Sequence, residues 1–284
     1  MGIESFFPEV WSGSLQTRLH KNLVLASLAN RNYEGEIAGF GDRVRINMIN
    51  AMSASDYTPN STTITASQLD GAPVFLDIDQ RKYVSFYLED LDAAQARGDV
   101  MGEATNELAY TLRDTLDQFI AAKYAQAQII NGLGTSGTPI DLTSLNVTEY
   151  LGLVGQKMDE NNVPQEGRWF ACAPWVLRKI QLADITLNTD NSMTMREGFR
   201  GNYLGLNIFV SNNISIGTAS TQADTRNMAG YSGSITVAEQ LMKIEALRQT
   251  SRFADEVRAL LVYGAKVVRP DTLVCFRTDY TAEP

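Results

Sequence analysis

Two stretches near the start of the chain alternate apolar and polar residues. Val44, Ile46 and Met48 alternate with Arg43, Arg45 and Asn47, and a second run carries Val74, Leu76 and Ile78 at the same spacing. A period of two marks a strand with one covered face, so these runs predict a strand pair. The segment between them, Met52 to Thr65, is polar, rich in Ser and Thr, and longer than most connections. The pattern therefore predicts a long two-stranded arm with Asp56 and Tyr57 toward its tip. Such a ribbon has no third layer on which to bury its apolar face. It is expected to lie along something else, most simply another copy of the chain.

A further strand-like run, Tyr83 to Leu88, precedes the clearest helical pattern. Apolar positions recur at Met101, Ala104, Leu108, Leu112, Leu116, Phe119 and Ile120, while Glu103, Glu107, Arg113, Asp114 and Asp117 fill the remainder. Asp99 is the expected N-cap and Gly132 the expected end. About 30 residues at about 1.5 Å each make a rod on the order of 45 Å long. No helical pattern of similar length accompanies it, so the rod is expected to pack across a sheet. Beyond Ile140, helix signals at Val147 to Asn161 and Trp175 to Ala183 alternate with strand signals at Arg168 to Ala173, Leu204 to Ser211 and Thr272 to Arg277. That order predicts a mixed α/β lobe. At the other end, Phe6, Phe7 and Trp11 precede a helical stretch with Leu15, Leu19, Leu23 and Leu25. So much apolar surface needs cover, from the chain's own core or from a neighbouring copy.

Composition narrows the chemistry. The 284 residues are 44% hydrophobic and 20% charged, as expected of a folded chain of one large or two ordinary domains. The net charge of -9, from 33 acidic and 24 basic residues, argues against broad affinity for phosphate backbones. No apolar run reaches the roughly 18 to 20 residues that cross a bilayer. The first residues lack the basic start of a signal peptide, and Phe6 stands where a myristoylation signal needs Ser or Thr. Cys172 and Cys275 have no partner pattern and read as inert buried thiols. His20, the one histidine, has no nucleophile motif near it and reads as a helix-surface residue. The carboxylates Asp77, Asp79, Glu89, Asp90 and Asp92 read as a solvated strand edge and helix entry, leaving a hard-cation site as the alternative. Neither a catalytic residue nor a cofactor or metal site is expected.

One motif is a decoy. Gly132-Leu133-Gly134-Thr135-Ser136-Gly137 matches the dinucleotide fingerprint letter for letter. That fingerprint works between a strand and a helix N-terminus, whereas here it follows a helical segment and runs into Thr138-Pro139. It reads as a helix end and a connection. A nucleotide-dependent enzyme is the reading it would support.

The order of parts, an apolar arm, an extended hairpin, a lone long helix, an α/β lobe and a closing helix and strands, resembles the major capsid proteins of tailed bacteriophages, the Hong Kong-97 fold. The wording is similar as well: Phe7-Pro8-Glu9-Val10-Trp11-Ser12, Asn30-Arg31-Asn32-Tyr33-Glu34-Gly35-Glu36-Ile37 with Gly41-Asp42-Arg43-Val44, Val163-Pro164 before Gly167-Arg168, Gly201-Asn202 with Ser211-Asn212, and Phe253-Ala254-Asp255-Glu256-Val257-Arg258 leading to Tyr263-Gly264-Ala265-Lys266-Val267-Val268-Arg269-Pro270. The likeness spans nearly the whole chain.

The resemblance implies an α+β shell subunit with an N-terminal arm (1–33), an E-loop hairpin (34–82), a P-domain (83–140 and 243–266) whose spine helix covers about 99–130, and an A-domain (141–242 and 267–284). It implies hexamers and pentamers in an icosahedral head around double-stranded DNA that is not bound sequence-specifically. A separate scaffolding protein, a portal and a decoration protein are the further partners it implies. It places intersubunit contacts at Phe7, Trp11, Asp56, Tyr57, Thr250, Arg252, Phe253 and Asp255, the last four near the outer loop of the P-domain. Some members of that family weld their shells through a hairpin lysine. This chain has no lysine between Lys21 and Lys82, so noncovalent contacts are expected. Many members carry a cleavable scaffolding segment ahead of the arm, and since the arm here starts at once, scaffolding is expected from a separate protein, unless the segment has already been trimmed. Encapsulin nanocompartments, built of similar subunits, are the nearest rival.

Overall fold

The computed structural model describes residues 20–33, 43–47, 52–63, 71, 73–90, 100–128, 132–183, 199–203, 205–218 and 222–282. The alternating runs near the start become β1 (Arg43–Asn47) and β2 (Pro73–Asp77), paired antiparallel with Val44 opposite Leu76 and Ile46 opposite Val74. Among the described residues, the base of this hairpin has cover. Val44, Ile46, Leu76 and Ile78 bury against Ala238, Val262 and Val268 of the same chain. The expectation of a ribbon without a layer of its own is therefore corrected at the base, where the body supplies that layer. Gly264 makes the approach possible, since a methyl group there would run into the Asp77 carbonyl.

β3 (Gln80–Glu89) follows directly and joins a three-stranded antiparallel sheet in the order β10 (Ile235–Arg248), β11 (Ala254–Val267), β3. Across this sheet lies α2 (Val100–Ala121), the successor to the single-turn α1 (Leu25–Leu28). Leu108, Leu112, Leu116 and Ile120 of α2 share one core with Val257, Ala259, Leu261 and Tyr263 of β11. Phe119 meets the Tyr263 ring edge-on, centroids 5.3 Å apart.

The second lobe is a larger mixed sheet in the order β4 (Ile140–Leu142), β12 (Val274–Tyr280), β9 (Ala223–Tyr231), β5 (Arg168–Cys172), β7 (Leu206–Val210), β6 (Phe199–Tyr203), with β8 (Ile216–Thr218) beside β9. Its helices are α3 (Val147–Glu160) and α4 (Pro174–Leu182). Every residue of β5 is buried, which is why Arg168 to Ala173 reads as a continuous apolar strand.

Four expectations change. His20, expected on a helix surface, lies with residues 21–24 ahead of α1 and outside any helix, held to Glu107 of α2 at 2.7 Å. The long helix ends at Ala121 and passes through a 3-10 segment, Ala122–Gln126, to an extended Ala127, so Gly132 is not its cap. Long-range partners stop it: the Gln126 side chain accepts from Val267 N, and the Tyr124 ring lies beneath Arg226 and Arg277 at 4.9 and 6.0 Å. No closing helix exists among the described residues; β10 and β11 fill that stretch as 14-residue strands. The Gly132 to Gly137 segment runs beside β12, with Leu133 exchanging backbone hydrogen bonds with Cys275 and Arg277, and leads into β4, so no helix N-terminus faces it. Asp99, the expected N-cap, lies outside the described residues.

Candidate intersubunit surface

The hairpin tip is built from local hydrogen bonds. Thr58 N donates to Thr62 Oγ1 at 2.8 Å, Thr62 N donates back to the Thr58 carbonyl at 3.1 Å, and Asn60 takes the left-handed conformation that closes the turn (φ 63°). Every residue from 52 to 63 is exposed, with Met52 at 80% and Tyr57 at 63%. Asp56 and Tyr57 thus stand on an ordered turn with no cover from the described residues of their own chain.

The β10–β11 turn is a second exposed feature, tied to β3 and the residue after it. Asp90 N donates to the Phe253 carbonyl at 2.9 Å. Arg248 clamps the Asp90 carboxylate with both terminal guanidinium nitrogens, and its Nη1 reaches Asp255 at 3.0 Å. The hydrogen bond from Arg248 holds the Asp90 carboxyl below the usual carboxylate range. Arg252 donates to the Tyr87 hydroxyl at 3.1 Å and lies over that ring. Thr250 and Phe253 are left to solvent, Phe253 at 85%. Of the eight predicted contact residues, Thr250, Arg252, Phe253 and Asp255 come together here and Asp56 and Tyr57 at the tip, while Phe7 and Trp11 lie outside the described residues.

A third surface, not anticipated from the sequence, is the outer face of the three-stranded sheet. Register sets Tyr83, Leu260 and Lys243 in one row, Ser85, Arg258 and Glu245 in the next, and Tyr87, Glu256 and Leu247 in a third. Tyr83 is 76% exposed, and Tyr83, Leu260, Lys243 and Glu245 help line a groove of about 440 Å³. Glu245 receives hydrogen bonds from Lys243 and then Arg258, which keep its carboxyl below the usual range. The signal was present in the parity of β3: its outward positions carry Tyr83 and Tyr87, large rings where a solvated face favours polar residues.

Nothing in these features has the makings of a reaction centre. Among the described residues, no three His, Cys, Asp or Glu side chains gather as metal ligands. Asp77 pairs with Arg43 at 2.5 Å and Asp90 with Arg248, while Asp92 lies outside the described residues. Both cysteines are buried and free, and burial pushes their thiols up to about 12 for Cys172 and about 11 for Cys275. No described helix is long and apolar enough to cross a membrane.

The family model described as phage capsid protein matches residues 71–276. The chain belongs to the phage capsid protein family. Among solved structures, a chain of Mycobacterium phage Che8 is similar at 29% identity and TM-score 0.79, over 97% of this chain and 98% of that one. The capsid of cyanophage P-SCSP1u is similar at 19% identity and TM-score 0.76, over 99% and 95%. The capsid of Ralstonia phage GP4 is similar at 12% identity and TM-score 0.72, over 98% and 96%. At these last two identities the likeness speaks for the fold alone. No curated protein matches the chain in sequence. The phage capsid chain is thus a shell protein of the virion with the α+β capsid fold, a structural component rather than an enzyme, and it assembles into a shell of many copies.

Proposed function

We propose that this capsid protein forms hexamers and pentamers that close an icosahedral head around double-stranded DNA, held by noncovalent contacts. The observation that carries the reading is the pair of ordered, uncovered projections, the hairpin tip at Met52 and Tyr57 and the β10–β11 turn at Phe253. A ribbon whose base is fixed to the body and whose tip bears unburied apolar side chains reaches outward, and an identical neighbour is the partner always present in a symmetric assembly. Many small contacts of this kind, each weak alone, close a shell while leaving room to correct errors. In this assignment the hairpin is the E-loop, α2 with the three-stranded sheet is the P-domain, and the second lobe is the A-domain. Phe7 and Trp11 belong to an arm that meets a neighbour. The net charge of -9 favours DNA enclosed rather than gripped. A scaffolding protein, a portal and a decoration protein complete the head, assembled in the cytoplasm of the host. Micrographs of the native assembly, with extraction of its contents, test the proposal: shells that release genomic DNA support it, shells holding a cargo enzyme point to a nanocompartment, and a species of the mass of one chain contradicts it.

A further inference from the structure

Residues 20–26 run along α2 and meet it at Glu107, Tyr110, Asp114 and Asp117, which follow one another at spacings of three and four and so form one stripe. His20 Nε2 lies 2.7 Å from Glu107 Oε2, and Lys21 N donates to the Tyr110 hydroxyl at 2.9 Å. Lys21 Nζ donates to Asp114 Oδ2 at 3.2 Å and to Asn213 Oδ1 at 3.0 Å. The Asn213 amide turns its nitrogen the other way and donates to Asp114 Oδ1 at 2.7 Å and to Asp117 Oδ2 at 3.0 Å. Ala26 N donates to Asp117 Oδ1 at 3.0 Å, and Gln118 Nε2, on α2 itself, donates to Asp114 Oδ2 at 2.8 Å. One amide therefore ties three separate parts of the chain: the opening segment, α2, and the loop after β7.

The charges do not balance. Asp117 is buried and Asp114 half-buried, and among the described residues Lys21 is the cation that reaches Asp114. The other titratable groups on this stripe are His20, Glu107 and Tyr110, and the loop 211–215 brings only Ser211, Asn212, Asn213, Ile214 and Ser215, none charged. With Lys21 withdrawn, Asp114 and Asp117 would be left to neutral donors, the Asn213 amide between them, Gln118 Nε2 on Asp114 and Ala26 N on Asp117, an arrangement that favours separation and entry of water.

We propose that residues 20–26 are a removable cationic clasp: with Lys21 seated, α2 is locked to the second lobe, and with Lys21 lifted, Asp114 and Asp117 open that joint. Because α2 also carries the three-stranded sheet, the clasp governs how firmly the two lobes hold their relative setting. The inference concerns contacts within one chain and stands apart from the shell reading.

Hydrogen exchange on the full chain, followed by mass spectrometry, tests it. In Lys21→Met, protection at about pH 7.5 falls at least about tenfold in peptides covering 24–28, 112–120 and 211–216 and stays unchanged in β5. A second substitution, Asp114→Asn, restores it at the same pH. Protection that is unchanged in Lys21→Met, that falls evenly through the chain including β5, or that Asp114→Asn does not restore would overturn the proposal. Micrographs of the same samples report shell formation separately, so failure of the clasp and failure of the shell reading are distinguishable.

Discussion

The imidazole of His20 lies flat on the ring of Tyr110, centroids 3.9 Å apart and planes within 6° of parallel. The Tyr110 hydroxyl also accepts from Lys21 N, so a single side chain of α2 anchors the opening segment by its face and by its polar end. Tyr110→Ala is expected to destabilise the unassembled subunit by about 1–2 kcal/mol, the worth of one stacked ring and one hydrogen bond. Tyr110→Phe should lose only the hydrogen-bond share. Denaturant titration of the two variants side by side measures the difference.

Gly264 sits where β11 passes the end of β2, and an added methyl would strike the Asp77 carbonyl. Gly264→Ala should cost about 1–3 kcal/mol through overpacking and loosen the hairpin base from Ala238, Val262 and Val268. Limited proteolysis should then cut between residues 43 and 78 while α2 and β5 stay intact.

Two buried-side carboxylates should respond to acid with opposite sign. Burial raises the pKa of Asp117, against the hydrogen bonds from Asn213, Ala26 and Leu25. Its contribution is complete below the value of an unfolded Asp, about 3.9, and is lost as pH rises through the higher folded value. Burial also pushes on Asp224, but hydrogen bonds from Arg277 and Arg226 prevail and hold it below the usual range. Its contribution is present above about 3.9 and is lost as pH falls through the lower folded value. Stability of the wild type relative to Asp117→Asn should therefore grow on acidification from neutral pH, while its advantage over Asp224→Asn should shrink below about pH 4. Thermal melts of the three proteins across that range check both signs.

Much of the fold was legible in the chain because it rests on local periodicity. Val44 and Ile46 opposite Leu76 and Val74, the stripe of Leu108, Leu112 and Leu116, and the apolar run Trp169, Phe170 and Ala171 all took the forms their spacing predicts. The misses rest on distance in sequence. The register shift between Glu239 and Leu241 interrupts the two-residue period of β10, and the unbroken apolar run from Ala259 to Tyr263 suits helix and strand equally. The helix ends early because of Arg226 and Arg277, about a hundred or more residues away, and the partners of His20 and Lys21 lie equally far from them. The turn at Arg252 and Phe253 was reached through likeness of wording, whereas the exposed rings of Tyr83 and Tyr87 were open to a parity argument on β3.

Phe253 is 85% exposed and makes no core contact, so Phe253→Ser should leave the melting of the unassembled subunit within about 0.5 kcal/mol of the wild type. The same change should reduce the yield of closed shells. Calorimetry on subunits, beside sedimentation of assembly reactions, separates the two effects.

Cryo-electron microscopy of the purified assembly tests the central claim most directly, by showing where residues 52–63 rest. Shells are expected in which Met52 and Tyr57 of each copy are buried on an adjoining copy. A map in which the tip touches only its own chain, or a preparation holding nothing larger than single chains, would contradict it.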